Sequence, residues 1–452
     1  MTLKDKNVLI LGLAVSGVST AKALNKLGAH IIITDMKKEE ELSQYIEELK
    51  EIDIKYVLGS NDVSLDDISI LVKSPGIPLG IPLIDKAKNK GIEVITDIEL
   101  AYRISKNPFV AITGTNGKTT TTALTGELFN NAGKVCHVTG NIGIGILWEV
   151  VNSSPDDVFV IEASSFQLES TRSFKPKVSV ITNITPDHIN WHKSFDNYIN
   201  AKKKVFVNQD KDDFTVLNYD DQILRDVSKE VKSNIIFFSS SSKLDYGVYL
   251  EGDYIVVNDG VCIEKIMRHN EIRIPGKHNL ENALAAVAIG WCMGIDFNII
   301  EKTLKEFEGV EHRIEFVEKI NGISFYNDSK GTNPDASIKA LEAINSPIVL
   351  IAGGMDKGSD FDEFVESFND KVKALVLLGE TAVKIKETAI NKGFNNIYIV
   401  GNINEAVRKS FEVAKNGDSV LLSPACASWD MFDSYEERGN VFKKEVRSIR
   451  EA

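Results

Sequence analysis

The strongest chemical signal in the sequence is a glycine-rich loop that ends in a lysine and two threonines. It reads Gly114-Thr115-Asn116-Gly117-Lys118-Thr119-Thr120, between an apolar run at 109–113 and a helical pattern at 119–128. Backbone amides at a helix start hold phosphates, a lysine reaches the terminal phosphates, and a threonine hydroxyl can ligate Mg²⁺. A standard P-loop has glycine where this chain has Ile112, so the loop is a shortened variant. We expect a nucleoside triphosphate here.

Three polar residues further along the chain could hold a metal ion beside that nucleotide. Glu162 follows the strand-like run 158–161, and His188 follows the run 178–182 and a short turn. The nearby His192 is expected to be structural or merely exposed. Lys202 lies in the middle of the apolar face of a predicted helix at 194–207. A lysine in that position must extend to solvent, pair with a charge or be chemically altered.

A second glycine loop occurs near the N-terminus. Gly12-Leu13-Ala14-Val15-Ser16-Gly17 follows a predicted strand and opens a helix, and Asp35 ends the next strand. This placement imitates a dinucleotide fingerprint, but Ala14 stands where that fingerprint has its middle glycine. The loop supports a pyrophosphate ligand rather than a nicotinamide cofactor, with a plain strand-to-helix turn as the alternative. Ser74-Pro75-Gly76 is a second turn at the same predicted sheet edge.

Composition excludes several classes of protein. The 452 residues correspond to about three domains of roughly 150 residues each. With 52 basic and 65 acidic residues, the net charge of −13 argues against nucleic-acid binding. The four cysteines are widely separated, which argues against disulfides and structural zinc and fits a reducing cytoplasm. No signal-peptide cleavage site follows the N-terminal apolar run, and no run reaches the ~18 apolar residues of a membrane span.

The elements that must position these motifs form an alternating pattern. Short β-branched runs alternate with amphipathic helical stretches, which is typical of parallel α/β sheets. Between 249 and 274 the pattern changes to short alternating strands with Glu-Gly-Asp and Asn-Asp-Gly hairpin turns. We predict three domains, at 1–106, 107–309 and 310–452.

Together these motifs, in this order, resemble the Mur ligase family of ATP-dependent amide-forming ligases of cell-wall precursor synthesis. Further segments share the resemblance, which covers essentially the whole chain: Gly276-Lys277-His278-Asn279, Asn282, His312-Arg313, Asn327 to Asn333, Ser423 to Ser428 and the Asn141-Ile142-Gly143 turn. It implies an α/β fold in three domains. The first would be Rossmann-like, the second a P-loop ATPase-like parallel sheet with a small antiparallel subsheet, and the third Rossmann-like.

Within the family, these segments are most similar to the branch that joins D-glutamate to UDP-N-acetylmuramoyl-L-alanine. The resemblance implies a cytoplasmic, monomeric, Mg²⁺-dependent enzyme of peptidoglycan synthesis, and so of cell shape and division. ATP would be hydrolysed through an acyl-phosphate intermediate. No nucleic-acid or membrane partner is implied.

Residue roles follow from the same resemblance. Catalytic roles fall to Lys118, His188 and Lys202. The expected ATP-binding residues are Gly114 to Thr120, Asn282, Arg313 and Asp328. The expected Mg²⁺ ligands are Thr119, Glu162, His188 and Lys202, the last as a carbamate, because an ammonium cannot ligate a cation. The UDP-sugar would contact Val15, Ser16, Asp35, Ser74, Asn141 and Gln167. D-Glutamate would contact Lys330, Thr332, Lys357 and Ser428, with Tyr435 standing where some members have phenylalanine.

Three other interpretations stay open at this point. A nicotinamide dehydrogenase would explain the first glycine loop but leaves the second unused. A nucleotide switch or binding module would explain the second loop without ligation chemistry. Within the family, another Mur ligase or a folylpolyglutamate-synthase-like enzyme is the main alternative.

Overall fold

The computed structural model of the protein describes residues 1–141, 145–274, 276–356 and 358–451. The expected glutamate ligand Lys357 and residues 142 and 143 of the predicted turn lie outside the described residues. Packing divides the chain into two compact units, Met1–Glu271 with Glu281–Lys305, and Ile272–Leu280 with Glu306–Ala452. The three predicted domain boundaries stay predictions.

The first sheet has five parallel strands in the order β3-β2-β1-β4-β5. Its strands are β1 (Asn7–Leu11), β2 (His30–Asp35), β3 (Ile54–Leu58), β4 (Ile68–Lys73) and β5 (Glu93–Ile95). Its helices are α1 (Val15–Lys26), α2 (Glu39–Glu47), α3 (Pro82–Asn89) and α4 (Asp97–Ile104). The strand order reverses between β1 and β4, and open α/β sheets bind ligands beyond the carboxyl ends of strands at such a point.

The central sheet has nine strands in the order β14-β13-β12-β11-β10-β9-β6-β8-β7. Its strands are β6 (Phe109–Thr113), β7 (Cys136–Gly140), β8 (Val158–Glu162), β9 (Val178–Ile181), β10 (Phe214–Asn218), β11 (Asn234–Ser239), β12 (Gly247–Glu251), β13 (Tyr254–Asn258) and β14 (Ile263–Arg268). The strands from β6 to β12 pair in parallel, whereas β13 and β14 pair antiparallel. This confirms the predicted antiparallel extension, including both hairpin turns.

Eight helices occur in the described part of the chain that contains the central sheet. They are α5 (Lys118–Asn131), α6 (Ile146–Asn152), α7 (Ser165–Leu168), α8 (Ile189–His192), α9 (Phe195–Lys203), α10 (Gln222–Val227), α11 (Lys277–Cys292) and α12 (Phe297–Glu306). Short 3-10 turns occur at Ser228–Glu230 and His269–Glu271. None of the helices in the described part of the chain has the length and apolar content that a bilayer crossing requires.

The third sheet has six strands in the order β15-β16-β20-β17-β18-β19. Its strands are β15 (Glu315–Ile320), β16 (Ile323–Asn327), β17 (Ile348–Ala352), β18 (Val372–Leu377), β19 (Ile397–Ile399) and β20 (Ser419–Leu422). Its helices are α13 (Pro334–Ala343), α14 (Asp362–Glu366), α15 (Ala382–Asn391), α16 (Ile403–Val413) and α17 (Tyr435–Glu451). Only β15 is antiparallel to its neighbour. The predicted α/β class with three mainly parallel sheets is confirmed.

Glu99, a fully buried carboxylate on α4, ties the first sheet to a loop of the central sheet. It accepts hydrogen bonds of 2.9 Å from each of the backbone amides of Arg172, Ser173 and Phe174. Arg103 Nε donates to it at 2.6 Å. Burial alone would raise the pKa of Glu99, but these hydrogen bonds together hold the pKa below its ordinary value. The carboxylate is therefore a stabilising contact only while it is ionised.

We expect Glu99→Gln to lower the free energy of unfolding by about 3 kcal/mol near neutral pH, because buried donors lose a charged acceptor. A lowered folded-state pKa stabilises the fold above the unfolded-state pKa of about 4.3, and the stabilisation is lost as pH falls through the folded-state pKa. The difference between wild type and variant should therefore shrink below about pH 4. Urea denaturation followed by circular dichroism at several pH values measures it.

Glu93→Gln is the matched control, because Glu93 also pairs with Arg103 but is partly exposed. We expect this control to cost about 1 kcal/mol or less. Equal losses in the two variants would contradict the anchoring role of Glu99.

Candidate active site

The second glycine loop joins β6 to α5 and cannot carry side chains at its two glycines. Gly114 has φ +147°, and a Cβ there would lie 2.0 Å from Thr182 Oγ1. Gly117 has φ +83°, and its Cβ would lie 2.4 Å from Asn282 Oδ1. Glycine is required at both places because of the backbone conformation and of the close approach of neighbouring side chains. The loop is therefore enclosed by the segment after β9 and by α11.

Two residues that follow β9 fix the loop in place. Thr182 Oγ1 donates to the carbonyl oxygen of Asn116 at 2.5 Å, and Asn183 Oδ1 accepts from the Asn116 amide at 2.9 Å. The Asn183 carbonyl accepts from the Thr115 amide at 2.9 Å. The first turn of α5 has no side-chain cap, and amides at such a helix start bind phosphate groups. The geometry therefore fits the predicted phosphate site.

Sequence reasoning did not single out Thr182 and Asn183. The available signal was their position directly after a strand, since β9 pairs with β6 in parallel and both carboxyl ends meet at one sheet edge.

Two lysines donate to one carbonyl oxygen of the loop. Lys118 Nζ lies 3.0 Å from Gly114 O, and Lys202 Nζ lies 2.6 Å from the same atom. Lys202 is 2% exposed, and its Nζ lies 4.5 Å from the centre of the Tyr198 ring. Burial and the neighbouring Lys118 charge lower the pKa of Lys202 well below its ordinary value. Lys202 therefore lies in the interior, and its lowered pKa makes the neutral amine, the form that reacts with an electrophile, easier to form than in an ordinary lysine.

Glu162 ends β8 beside the loop, because it pairs with Ile112 of β6. The side chain is buried, and its Oε1 accepts from Asn141 Nδ2 at 3.0 Å. Oε2 is also buried and has no hydrogen-bond partner among the described residues. A buried carboxylate oxygen without a partner is costly, and a cation relieves that cost.

This donor set fits Mg²⁺, which proteins hold with one or two carboxylates plus phosphate and water oxygens. Thr119, the second residue of α5, could supply a hydroxyl. Within the described residues, no cluster of three or more His, Cys, Asp or Glu side chains could hold a metal by itself. The site would therefore need oxygen atoms from a ligand.

His188 lies beyond β9 in a strained backbone conformation. Its φ of 52° and ψ of 30° are left-handed, which is uncommon for a residue other than glycine and occurs often at functional sites. The half-exposed ring lies 4.8 Å from the Phe166 ring. A cavity of about 550 Å³ lies beside it, lined by Phe166, Asp187, His188, Ile189, Asn190 and Trp191. His192 is buried, with Nε2 3.0 Å from Ser165 Oγ, as expected for a structural histidine.

The first glycine loop lies at the strand-order reversal of the first sheet, where open α/β sheets bind ligands in a crevice. A Cβ on Gly12, at φ +98°, would lie 2.7 Å from Ser74 Oγ, so the two predicted turns meet. Asp35 accepts from the amides of Leu13 and Lys37, at 2.8 and 2.9 Å. Val15 is exposed at the start of α1. The structure thus brings Asp35, Ser74 and the α1 start to one sheet edge.

Three other expected substrate residues have partners inside the protein. Asn141 donates to Glu162, as described above. Gln167 is buried, and its Oε1 accepts from the Ser164 amide at 3.1 Å. Ser16 Oγ donates to Asp97 at 2.7 Å, and Gln167 hydrogen-bonds to the same carboxylate. Ser16 and Gln167 are therefore linked through a residue that sequence reasoning did not identify.

In the second unit, the expected glutamate ligands follow two neighbouring strands. Lys330 and Thr332 follow β16, whereas Ser428 follows β20, which pairs with β16 in parallel. Lys330 Nζ lies 5.7 Å from the centre of the Tyr435 ring. Ser428 is buried.

Asp328, directly after β16, is buried and accepts from Ser423 Oγ at 2.7 Å. Burial raises the pKa of Asp328 to about 7, against the opposing effects of the Ser423 hydrogen bond and the Arg313 charge. The expected ATP residues fall in both units, Asn282 in the first and Arg313 and Asp328 in the second.

Arg438 is a buried guanidinium in the second unit that sequence reasoning missed. It donates to the Ser329 carbonyl at 2.7 Å and to the Cys426 carbonyl at 3.1 Å. In the sequence it looks like one charge on the solvated face of a C-terminal helix. Its hydrogen bonds instead join the segments after β16 and β20 that carry the expected glutamate ligands.

The chain is similar to known proteins along its whole length. Residues 6–96 match the Mur ligase MurD-like N-terminal domain, 112–290 the Mur ligase middle domain, and 312–426 the Mur ligase glutamate ligase domain. A UDP-N-acetylmuramoylalanine–D-glutamate ligase of Caldanaerobacter subterraneus is 51% identical, over 100% of both chains. The protein of that name from Clostridioides difficile is also 51% identical, over 100% of both. The chain belongs to the Mur ligase family.

Solved structures of Mur ligases share the fold at lower identity. The UDP-N-acetylmuramate-alanine ligase of Thermotoga maritima superposes with a TM-score of 0.63 at 20% identity, covering 98% of this chain and 99% of that one. The MurF ligase of the same organism, solved in complex with ADP, gives 0.60 at 16% identity, covering 99% of each chain. These likenesses support the three-domain α/β fold.

We expect Glu162→Gln to raise the melting temperature of the metal-free protein by about 2 °C or more, because it removes a buried negative charge whose Oε2 has no partner among the described residues. Glutamine keeps the oxygen that accepts from Asn141. The same substitution should weaken Mg²⁺-ATP binding at least ~10-fold, which a smaller ligand-induced melting shift reports. Thermal denaturation with EDTA, and with Mg²⁺ and ATP, measures both effects.

Asp35→Asn is the matched control, because the Asp35 carboxylate accepts from two backbone amides. Loss of this charge should lower the melting temperature instead. A Glu162→Gln protein that melts below wild type in EDTA and binds Mg²⁺-ATP normally would refute the metal site.

Proposed function

We propose that this Mur ligase joins D-glutamate to the L-alanyl carboxylate of UDP-N-acetylmuramoyl-L-alanine, with hydrolysis of ATP to ADP and phosphate, in peptidoglycan precursor synthesis. Full-length relatives at 51% identity carry the name of this activity. The structural observation that carries the proposal is the enclosed glycine loop beside Glu162, whose Oε2 has no partner among the described residues. It supports a phosphate and metal site at the edge of the central sheet.

The chemistry explains why a phosphate site is needed. A carboxylate is unreactive toward an amine, so its oxygen first attacks the γ-phosphorus of ATP, giving an acyl phosphate and releasing ADP. The neutral amine of D-glutamate then adds to the acyl carbon, and the tetrahedral intermediate expels phosphate and loses a proton. Lys118 would neutralise charge on the transferred group through its position at the loop. Exclusion of water would protect the acyl phosphate.

The metal-binding role falls to Thr119, Glu162, His188 and Lys202. Bound Mg²⁺ would offset the negative charge of the phosphates and of the reacting carboxylate. Lys202 would first become a carbamate, as its neutral amine attacks CO₂, forms an N–C bond and releases a proton. The lowered pKa of Lys202 supports this step, since only an unprotonated amine is nucleophilic.

The substrate-binding roles are distributed over the three sheets. We propose that the UDP-sugar contacts Val15, Ser16, Asp35, Ser74, Asn141 and Gln167, that Gly114 to Thr120, Asn282, Arg313 and Asp328 bind ATP, and that Lys330, Thr332, Lys357, Ser428 and Tyr435 bind D-glutamate. The proposal also includes a monomeric, cytoplasmic enzyme. The four cysteines are free thiols, which suits a reducing compartment. Light scattering on the purified protein tests the oligomeric state.

The decisive experiment measures ADP release with each pair of UDP-precursor and amino acid. We expect release only when UDP-N-acetylmuramoyl-L-alanine and D-glutamate are both present. A preference for another pair would assign a different activity within the family. ADP release independent of both substrates would favour a nucleotide switch.

We expect Lys202→Ala to lose most activity at low bicarbonate, and added small carboxylates to restore part of it by replacing the carbamate oxygens. Lys203→Ala is the matched control, because Lys203 forms an ion pair with Glu230 rather than with the loop. Turnover at several bicarbonate concentrations, with and without acetate or formate, makes the comparison. Normal turnover by Lys202→Ala, or an unmodified amine in the active metal-bound enzyme, would refute the carbamate.

We expect replacement of D-glutamate by D-alanine to cost at least ~100-fold in kcat/KM, or about 2.7 kcal/mol, because donors for the second carboxylate would be left unpaired. Thr332→Ala and Ser428→Ala should raise KM for D-glutamate much more than KM for ATP. Steady-state kinetics with each substrate varied in turn measures these constants. Equal effects on both substrates would place the glutamate pocket elsewhere.

A further inference from the structure

Two charged side chains lie buried beneath the first-sheet crevice and have no part in the ligation chemistry. Lys73, the last residue of β4, is 0% exposed, and Asp97, the first residue of α4, is 4% exposed. Charged side chains are seldom buried unless their hydrogen bonds are satisfied, so their partners indicate their role.

Lys73 holds the turn that carries Ser74. Its Nζ donates to three backbone carbonyls of that turn: Ser74 at 3.3 Å, Pro75 at 3.2 Å and Ile77 at 2.9 Å. Burial lowers the pKa of Lys73 to about 8, and the charges of Glu169 and Asp97 oppose this effect. The Lys73 ammonium thus supplies the hydrogen bonds that water would give to these carbonyls if the turn were exposed.

Asp97 holds the other two elements of the crevice. Its Oδ2 accepts from Ser16 Oγ, at the start of α1, at 2.7 Å. Its carboxylate also hydrogen-bonds to the Gln167 side chain, on α7 beside the central sheet. The side-chain oxygen Oε1 of Gln167 accepts from Ser164, so the side-chain nitrogen Nε2 is left to donate to Asp97. One carboxylate therefore sets the orientation of two side chains, one on α1 beside the first sheet and one on α7 beside the central sheet.

We propose that Asp97 and Lys73 are positioning residues that hold Ser16, Gln167 and the Ser74 turn in the arrangement that the UDP-sugar substrate binds. This inference rests on the proposed function, because it takes the UDP-sugar as the ligand of the crevice. The three elements are distant in sequence, and ordering them at the moment of binding would cost affinity. The hydrogen bonds of the buried Lys73 and Asp97 fix these elements beforehand.

The test compares Asp97→Asn with Glu99→Gln. Both substitutions neutralise a buried carboxylate on α4, but the partners of Glu99 are Arg103 and the amides of the loop at 172–174 rather than crevice residues. We expect Asp97→Asn to raise KM for UDP-N-acetylmuramoyl-L-alanine about 10-fold or more, with kcat and the KM values for ATP and D-glutamate within about 2-fold. Glu99→Gln should lower stability without this selective change in KM.

Lys73→Met gives a second measurement that does not depend on turnover. Methionine fills much of the same space but cannot donate hydrogen bonds. We expect amide hydrogen exchange at residues 74–80 to be faster in this variant than in wild type or Glu99→Gln, and UDP-N-acetylmuramoyl-L-alanine to bind about 10-fold more weakly by calorimetry.

The outcomes separate this inference from the proposed function. If the wild type transfers D-glutamate, and Asp97→Asn and Lys73→Met bind the UDP-sugar as tightly as the wild type does, the inference is overturned and the function stays intact. If wild type binds the UDP-sugar but transfers no D-glutamate, the function fails, and the calorimetric comparison still decides the positioning role. No binding of the UDP-sugar by wild type would overturn both. A uniform rise in every KM for Asp97→Asn would show a merely structural residue.

Discussion

The carbonyl oxygen of Gly114 is the atom on which the arrangement of the central site depends. Lys118 and Lys202 both donate to it, at 3.0 and 2.6 Å, so two amines from different helices converge on one point of the backbone. The loop can hold this conformation because Gly114 lacks a Cβ, which would lie 2.0 Å from Thr182 Oγ1. The crowding of the two amines favours a neutral or modified Lys202.

The buried charges of the first unit fall into two groups according to their partners. Glu99 and Asp97 accept several internal hydrogen bonds, so they hold loops and side chains in place. Glu162 has one oxygen with a partner and one without among the described residues. The hydrogen-bonded carboxylates hold neighbouring segments in place, whereas the Glu162 oxygen without such a partner is a cost that a ligand can offset. A buried carboxylate oxygen of this type is therefore expected at a ligand-binding site, where a bound cation would pair with it.

The elements with a clear sequence pattern were predicted well. The runs at 109–113, 158–161 and 178–182 match β6, β8 and β9 to within one residue, because buried parallel strands are nearly continuous apolar segments. The strands β7, β15 and β16 were missed. The strand β7 lies at the edge of its sheet and carries His137 and Thr139, and β15 and β16 form an antiparallel hairpin with polar residues on both faces. Their pairing depends on neighbouring strands rather than on local composition.

The sequence by itself determined the fold class, the phosphate loop and the candidate ligands Glu162, His188 and Lys202, because glycine turns and strand ends leave local patterns. Only the tertiary structure decided which side chains support them. Thr182, Asn183, Asp97, Lys73 and Arg438 look ordinary in the sequence, and each has its role through partners elsewhere in the chain. Hydrogen bonds between distant segments form only once the sheets bring those segments together, so no local pattern encodes them.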